Sequence, residues 1–267
     1  HDICFRNLFY EDNNLVSIAE LEFSATVVSQ YCYYEMFSYC GNLVDASTRL
    51  QATTLADSCY NHMFSDCSSL VDLPVLPARN LAEYCYESMF ARCTSLTTTP
   101  TLPAQHVPRG AYSYMFKECD ALTETCDFTA TSYGYCACNY MFAECQNLTT
   151  VHDITATSTD EYSFSSMFQY CTSLVNPPTL NISTLTPGVF YQMFGNCTAL
   201  VTAPELPNTT LATKCYYKTF ENCTALQNAP KLPASVLATE CYMDMFYGCT
   251  SLVNAPELSA DTLADGC

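Results

Sequence analysis

Phenylalanine recurs along this chain at Phe9, Phe37, Phe64, Phe90, Phe116, Phe142, Phe168, Phe194, Phe220 and Phe246, at intervals of 28, 27 and then 26 residues. A leucine follows six residues after each one: Leu15, Leu43, Leu70, Leu96, Leu122, Leu148, Leu174, Leu200, Leu226 and Leu252. Met or Leu precedes the phenylalanine except at Thr219, and a cysteine stands three residues after it except at Asp12. A repeat this regular outranks every other signal in deciding the fold. The clearest unit runs from Cys241-Tyr242 through Met245-Phe246, Cys249 and Leu252 to Pro256 and Leu258.

The two halves of the unit have different patterns. Counting from its first cysteine as zero, the apolar positions are 0, 1, 4, 5 and 8. At about 100° per residue they fall in one stripe, which predicts a short amphipathic helix. The outward positions of that helix include Glu87, Ser88 and Arg92 in one unit and Tyr217, Lys218, Glu221 and Asn222 in another. The second half, as in Leu200-Val201-Thr202-Ala203-Pro204-Glu205-Leu206-Pro207, is too short and proline-bounded for a helix and predicts a strand and turn. Pro204 has no N–H to give a ladder, so the strand should end near it.

One unit cannot bury its own stripe, whereas stacked units cover one another. Helices need about 8–10 Å between axes and strands about 4.8 Å, so the helical side should be the longer arc. The expected fold is therefore an α/β repeat solenoid of about ten 26-residue coils, with a concave parallel sheet and short helices on the convex side. No break in the period marks a boundary. The chain reads as one domain over residues 1–267, and the pattern is cut at both ends as in a fragment of a longer protein.

Charge narrows the partners. There are 27 acidic residues against 9 basic ones, a formal net of -18. Such a chain repels phosphate backbones and anionic membrane surfaces, so no nucleic-acid partner is expected. No apolar run approaches the ~20 residues of a membrane span. The stretch His1-Asp2-Ile3-Cys4 has no basic or apolar region of a signal peptide.

The segments Met63-Phe64-x-x-Cys67-x-x-Leu70 and Leu232-Pro233-Ala234 resemble the BspA-like leucine-rich-repeat family, and the resemblance covers almost the whole chain. It implies a solenoid and a bacterial surface or secreted protein that binds host matrix proteins or other cells. Similar repeats in phage-borne proteins imply the other reading, a structural or receptor-binding part of a larger assembly such as a phage appendage, associated with the virion. The strand departs from the family's usual Leu-x-x-Leu-x-Leu by one added residue and a proline before its last leucine.

The nineteen cysteines invite a disulfide or metal reading, but sixteen fall in two rows of the repeat. One runs Cys40, Cys67, Cys93, Cys119, Cys145, Cys171, Cys197, Cys223, Cys249; the other holds Cys4, Cys32, Cys59, Cys85, Cys215, Cys241, Cys267. Eight residues apart on a helix is about 12 Å, beyond disulfide reach. Ala111, Ala137, Ser163 and Val189 replace the first cysteine in four units, which marks a small buried slot. Buried free thiols are expected. No paired Cys-x-x-Cys pattern or histidine cluster supports a metal. Cys126, Cys136 and Cys138 stand outside the rows and are either a local disulfide or three more packed thiols.

Two surfaces could bind a partner. The side chain two after each unit's leucine should point out of the sheet: Ser17, Asp45, Asp72, Thr98, Glu124, Thr150, Asn176, Thr202, Asn228 and Asn254, none basic. Such a row suits an extended glycan or a basic polypeptide. The second is a set of tyrosines at outward helix positions, chiefly Tyr34, Tyr39, Tyr114, Tyr140, Tyr191 and Tyr217, with Tyr10, Tyr170 and Tyr247. The ladder of Phe5, Tyr33, Tyr60, Tyr86, Tyr112, Phe164, Phe190, Tyr216 and Tyr242 reads as core stacking. The sequons at Asn147, Asn181, Asn196, Asn208 and Asn222 include two that arise from the repeat's own Cys-Thr. His62, His106 and His152 lie in different units, and no nucleophile motif, phosphate loop or cofactor fingerprint is present. The expectation is a binding protein for a protein or glycan, with no enzyme activity and no cofactor.

Overall fold

In the segment from Tyr31 to Cys40 the backbone amides alternate between two kinds of partner. Tyr31, Tyr33, Glu35, Phe37 and Tyr39 donate to carbonyls of the next coil, those of Asp57, Cys59, Asn61, Met63 and Ser65, at 2.9–3.2 Å. Cys32, Tyr34, Met36, Ser38 and Cys40 donate three residues back, at 3.2–3.4 Å. Every fourth residue is left-handed: φ is 56° at Tyr31, 52° at Glu35 and 62° at Tyr39. The segment is a run of linked turns with a period of four. The computed structural model describes residues 4–267 and has no helix among them, so the expected convex helices are corrected. Residues 1–3, within the stretch read above for a signal peptide, lie outside the described residues.

The physical reason lies in the apolar spacing. Positions 0, 1, 4, 5 and 8 spread over more than a third of a 3.6-residue helix, but on a four-residue period they collapse onto two columns. An α-helix would also spend every amide within itself. The turn spiral keeps half of them for the neighbouring coil, bonding at strand-like spacing. A left-handed non-glycine residue costs roughly 1–3 kcal/mol, offset here by a coil-to-coil hydrogen bond and by the buried ring stacks. Since these turns and the bridging rows both bond directly from coil to coil, the helix-based argument for a longer convex arc, and so for a concave sheet, no longer applies.

The rest of each coil carries three rows of parallel bridges. The first joins Ser17, Asp45 and Asp72, then Glu124 and Thr150, then Thr202, Asn228 and Asn254. The second includes β3 (Ile154–Ala156) against β5 (Leu180–Ile182), with Phe23 to Leu50 and Leu232 to Leu258 in line. The third includes β1 (His106–Val107), β2 (Ser132–Tyr133) and β4 (Ser158–Thr159), in that order and all parallel. Strand alternation sets burial: Ile154 and Ala156 point in and Thr155 points out. The parallel sheet is thus divided among three short rows, and the segment after each leucine contributes only single bridges where it bridges at all.

Inside, the phenylalanines from Phe37 to Phe220 are fully buried and stacked, for example Phe37 on Phe64 at 5.4 Å and Phe64 on Phe90 at 5.7 Å, within 6° of parallel. The second ladder stacks likewise from Phe5 to Tyr112 and from Phe164 to Tyr242. It breaks at Cys138, which takes an aromatic slot; Tyr133 of β2 turns inward there and meets Phe164 edge-on at 4.7 Å. The cysteines from Cys32 to Cys267 are free thiols, Cys126, Cys136 and Cys138 among them, so the local disulfide is not formed.

Candidate functional site

The bridge register joins Ser17, Asp45 and Asp72, then Glu124 and Thr150, then Thr202, Asn228 and Asn254, while Thr98 and Asn176 stand between these groups without a bridge. Asp72, Thr98, Glu124, Thr150, Asn176, Thr202, Asn228 and Asn254 are exposed, as is Ser17; Asp45 is half-buried. The row is locally ordered. Asp45 Oδ1 accepts from the backbone N–H and hydroxyl of Ser47, at 2.8 and 2.5 Å, and Ser17 Oγ donates to Asp45 Oδ2 at 3.3 Å. Those bonds, Ser47's hydroxyl first, hold the Asp45 carboxyl below its ordinary range. Asp45 is therefore a fixed anion and Asp72 a freer one.

The row meets a cleft at its centre. A space of about 460 Å³ opens between Thr97–Pro103 of one coil and Thr123–Thr129 of the next, closed at one side by His152. His152 is bound on three counts: Nε2 to Glu124 Oε1 at 2.7 Å, Nδ1 to Asp127 Oδ1 at 2.6 Å, and its backbone N–H to Thr125 Oγ1 at 3.0 Å. The Glu124 hydrogen bond above all, with Asp127 adding and partial burial opposing, holds the imidazole above its ordinary pKa. Each ring nitrogen faces a carboxylate oxygen, so in its protonated form the ring gives an N–H to both.

Sequence reasoning placed Glu124 in the row but missed His152 and Asp127. The signal was present. Pro74, Pro100, Pro178, Pro204, Pro230 and Pro256 occupy one repeat position, and Cys126 and His152 interrupt it in two successive units. His106 and His62 join no such group. His106 Nδ1 meets Ser132 Oγ at 3.0 Å, and His62 pairs with its neighbour Asn61. The described residues hold no group of three or more His, Cys, Asp or Glu side chains suited to a metal.

The tyrosines are placed differently from a helix's outer face. Tyr39 is exposed, while Tyr34, Tyr114, Tyr140, Tyr191 and Tyr217 are half-buried. Tyr114 stacks on Tyr140 at 5.0 Å and Tyr191 on Tyr217 at 4.8 Å. Lys214 and Lys218 lie over the Tyr217 ring. Stacking covers faces that a sugar would need, leaving ring edges and hydroxyls. Burial first, then the facing tyrosine, raises the phenol pKa of Tyr114 and of Tyr191.

A family model described as a BspA type leucine rich repeat region matches in 6 copies, over residues 5–123, 82–197 and 166–257. No curated protein and no solved structure matches the chain.

Proposed function

This chain belongs to the BspA-type leucine-rich-repeat family, and on that premise we propose that it is a non-catalytic recognition module of a bacterial surface or secreted protein. Its polar row is the contact face, and its partner is a protein with a basic surface. The observation that carries this reading is the row itself: carboxylates, hydroxyls and amides, nearly all exposed and most of them held by parallel bridges, with no basic side chain among them. In-register rows repeat at about 4.8 Å, which suits an extended segment laid along the stack. A net charge of -18 steers a basic partner and repels an acidic one. The stacked tyrosines form a secondary rim, supplying hydroxyls at their edges.

The test is a charge reversal along the row. Asp45→Lys, Asp72→Lys and Glu124→Lys together should abolish binding of basic matrix proteins. Association of the unaltered chain should slow as salt rises, because screening shortens the range of steering. Unchanged binding by the triple variant would reject the row.

A further inference from the structure

The central cleft sets His152 between Glu124 and Asp127, and no lysine or arginine lines the cleft. Resting on the reading above, we propose that Glu124 and Asp127 form a subsite for an arginine or lysine side chain of the partner, with His152 as its built-in competitor.

Three observations converge. First, the space exists: threonines from two coils wall a cleft of about 460 Å³, and the two carboxylates at its edge remain largely open to solvent, with side-chain exposures of 57% and 81%. Secondly, the two ring nitrogens of His152 lie against Glu124 and Asp127 at 2.7 and 2.6 Å, so the protonated ring presents two N–H donors to the carboxylates much as a guanidinium does and occupies the position an external cation would take. Thirdly, His152 stands where most units carry a proline, so the repeat's scaffold does not require a histidine there. The charged groups facing His152 are Glu124 and Asp127 of the preceding coil and Asp153 of its own, whose carboxylate accepts from the Thr179 amide at 2.8 Å.

Competition fixes the sign of the pH dependence. Below the histidine's pKa the imidazolium holds both carboxylates and excludes the partner. Above it the ring is neutral and gives at most one N–H, so the carboxylates are released to a side chain that is still charged. A plain acidic surface gives a flat profile instead, since its carboxylates are already ionised over that range.

The probe is a short fluorescent arginine–glycine peptide, titrated into the whole chain from about pH 5.5 to about pH 8. Affinity should rise with pH, with a limiting slope of about tenfold per unit for one released proton. His152→Gln should bind tightly with a flat profile. His152→Lys, a permanent competitor, should bind weakly throughout, and matching far-ultraviolet spectra would show that both variants fold. Glu124→Gln should weaken binding at high pH. A flat wild-type profile, or a His152→Gln variant that binds no better at low pH, overturns the competitor alone. Failure of the peptide to bind any variant overturns the basic-partner reading with it.

Discussion

The thiol of Cys145 donates to the backbone carbonyl of Phe116, one coil earlier, at 3.1 Å. The same bond recurs from Cys40 to Phe9 through Cys249 to Phe220. A cysteine is small enough for the slot, apolar enough for burial, and still supplies a weak donor along the stack. Burial pushes the Cys145 thiol up to about 12, so thiolate is scarce at neutral pH. Native alkylation should therefore modify exposed Cys267 long before Cys145, and denaturation should open the whole row. Rapid native labelling of Cys145, or a mass deficit from disulfides, would contradict the packing.

Gly110 sits under the Tyr84 ring of the preceding coil with φ at 59°, and a Cβ there would lie 2.3 Å from two ring carbons. Gly110→Ala should destabilise the chain by about 2–4 kcal/mol, combining left-handed strain with overpacking. Removing the ring as well, in Tyr84→Ala/Gly110→Ala, should recover the steric share but not the backbone share. Denaturant unfolding of the single and double variants reads this coupling, and simple additivity would show that the ring contact is not made.

Phe142 lies fully buried between Phe116 and Phe168, at 5.2 and 6.0 Å. Truncation to alanine should cost about 3–5 kcal/mol. Because neighbouring coils depend on each other's faces, the loss should spread along the stack. Hydrogen exchange should quicken in both adjacent coils, and a melt like that of the parent chain would contradict the ladder.

His152 makes stability depend on pH. Its folded pKa is raised, so its contribution is fully present below the unfolded value of about 6.5 and is lost as pH rises through the folded value. A midpoint above 6.5 in the imidazole's NMR titration is expected, with a falling melting temperature across the same window. His152→Gln should remove that slope. A midpoint at or below 6.5 would break the account of the clamp.

The repeat, its stacking and the polar row were legible because they depend on which residues recur. Phe142, Leu148 and Thr150 each fall where their spacing places them. The helix does not follow from the sequence because the apolar stripe at positions 0, 1, 4, 5 and 8 is compatible with periods of 3.6 and of four. The deciding fact, a left-handed residue at every fourth position, is carried by residues as ordinary as Tyr31, Glu35 and Tyr39. Thr219 supplied a hint in retrospect. Its hydroxyl donates to the Phe190 carbonyl at 3.0 Å, repeating the cysteine's bond four residues earlier in the coil. The cleft was legible only as an interruption, where Cys126 and His152 replace proline. Its chemistry depends on Asp127, whose approach to His152 from the preceding coil the spacing alone does not give.

The most direct measurement of the row as a binding face is amide chemical-shift mapping of the chain with the arginine–glycine peptide. Shifts should concentrate at Asp72, Glu124, Asp127, Thr150 and His152 and fade toward Tyr191 and Tyr217. Shifts confined to the stacked tyrosines, with the row unmoved, would contradict the assignment.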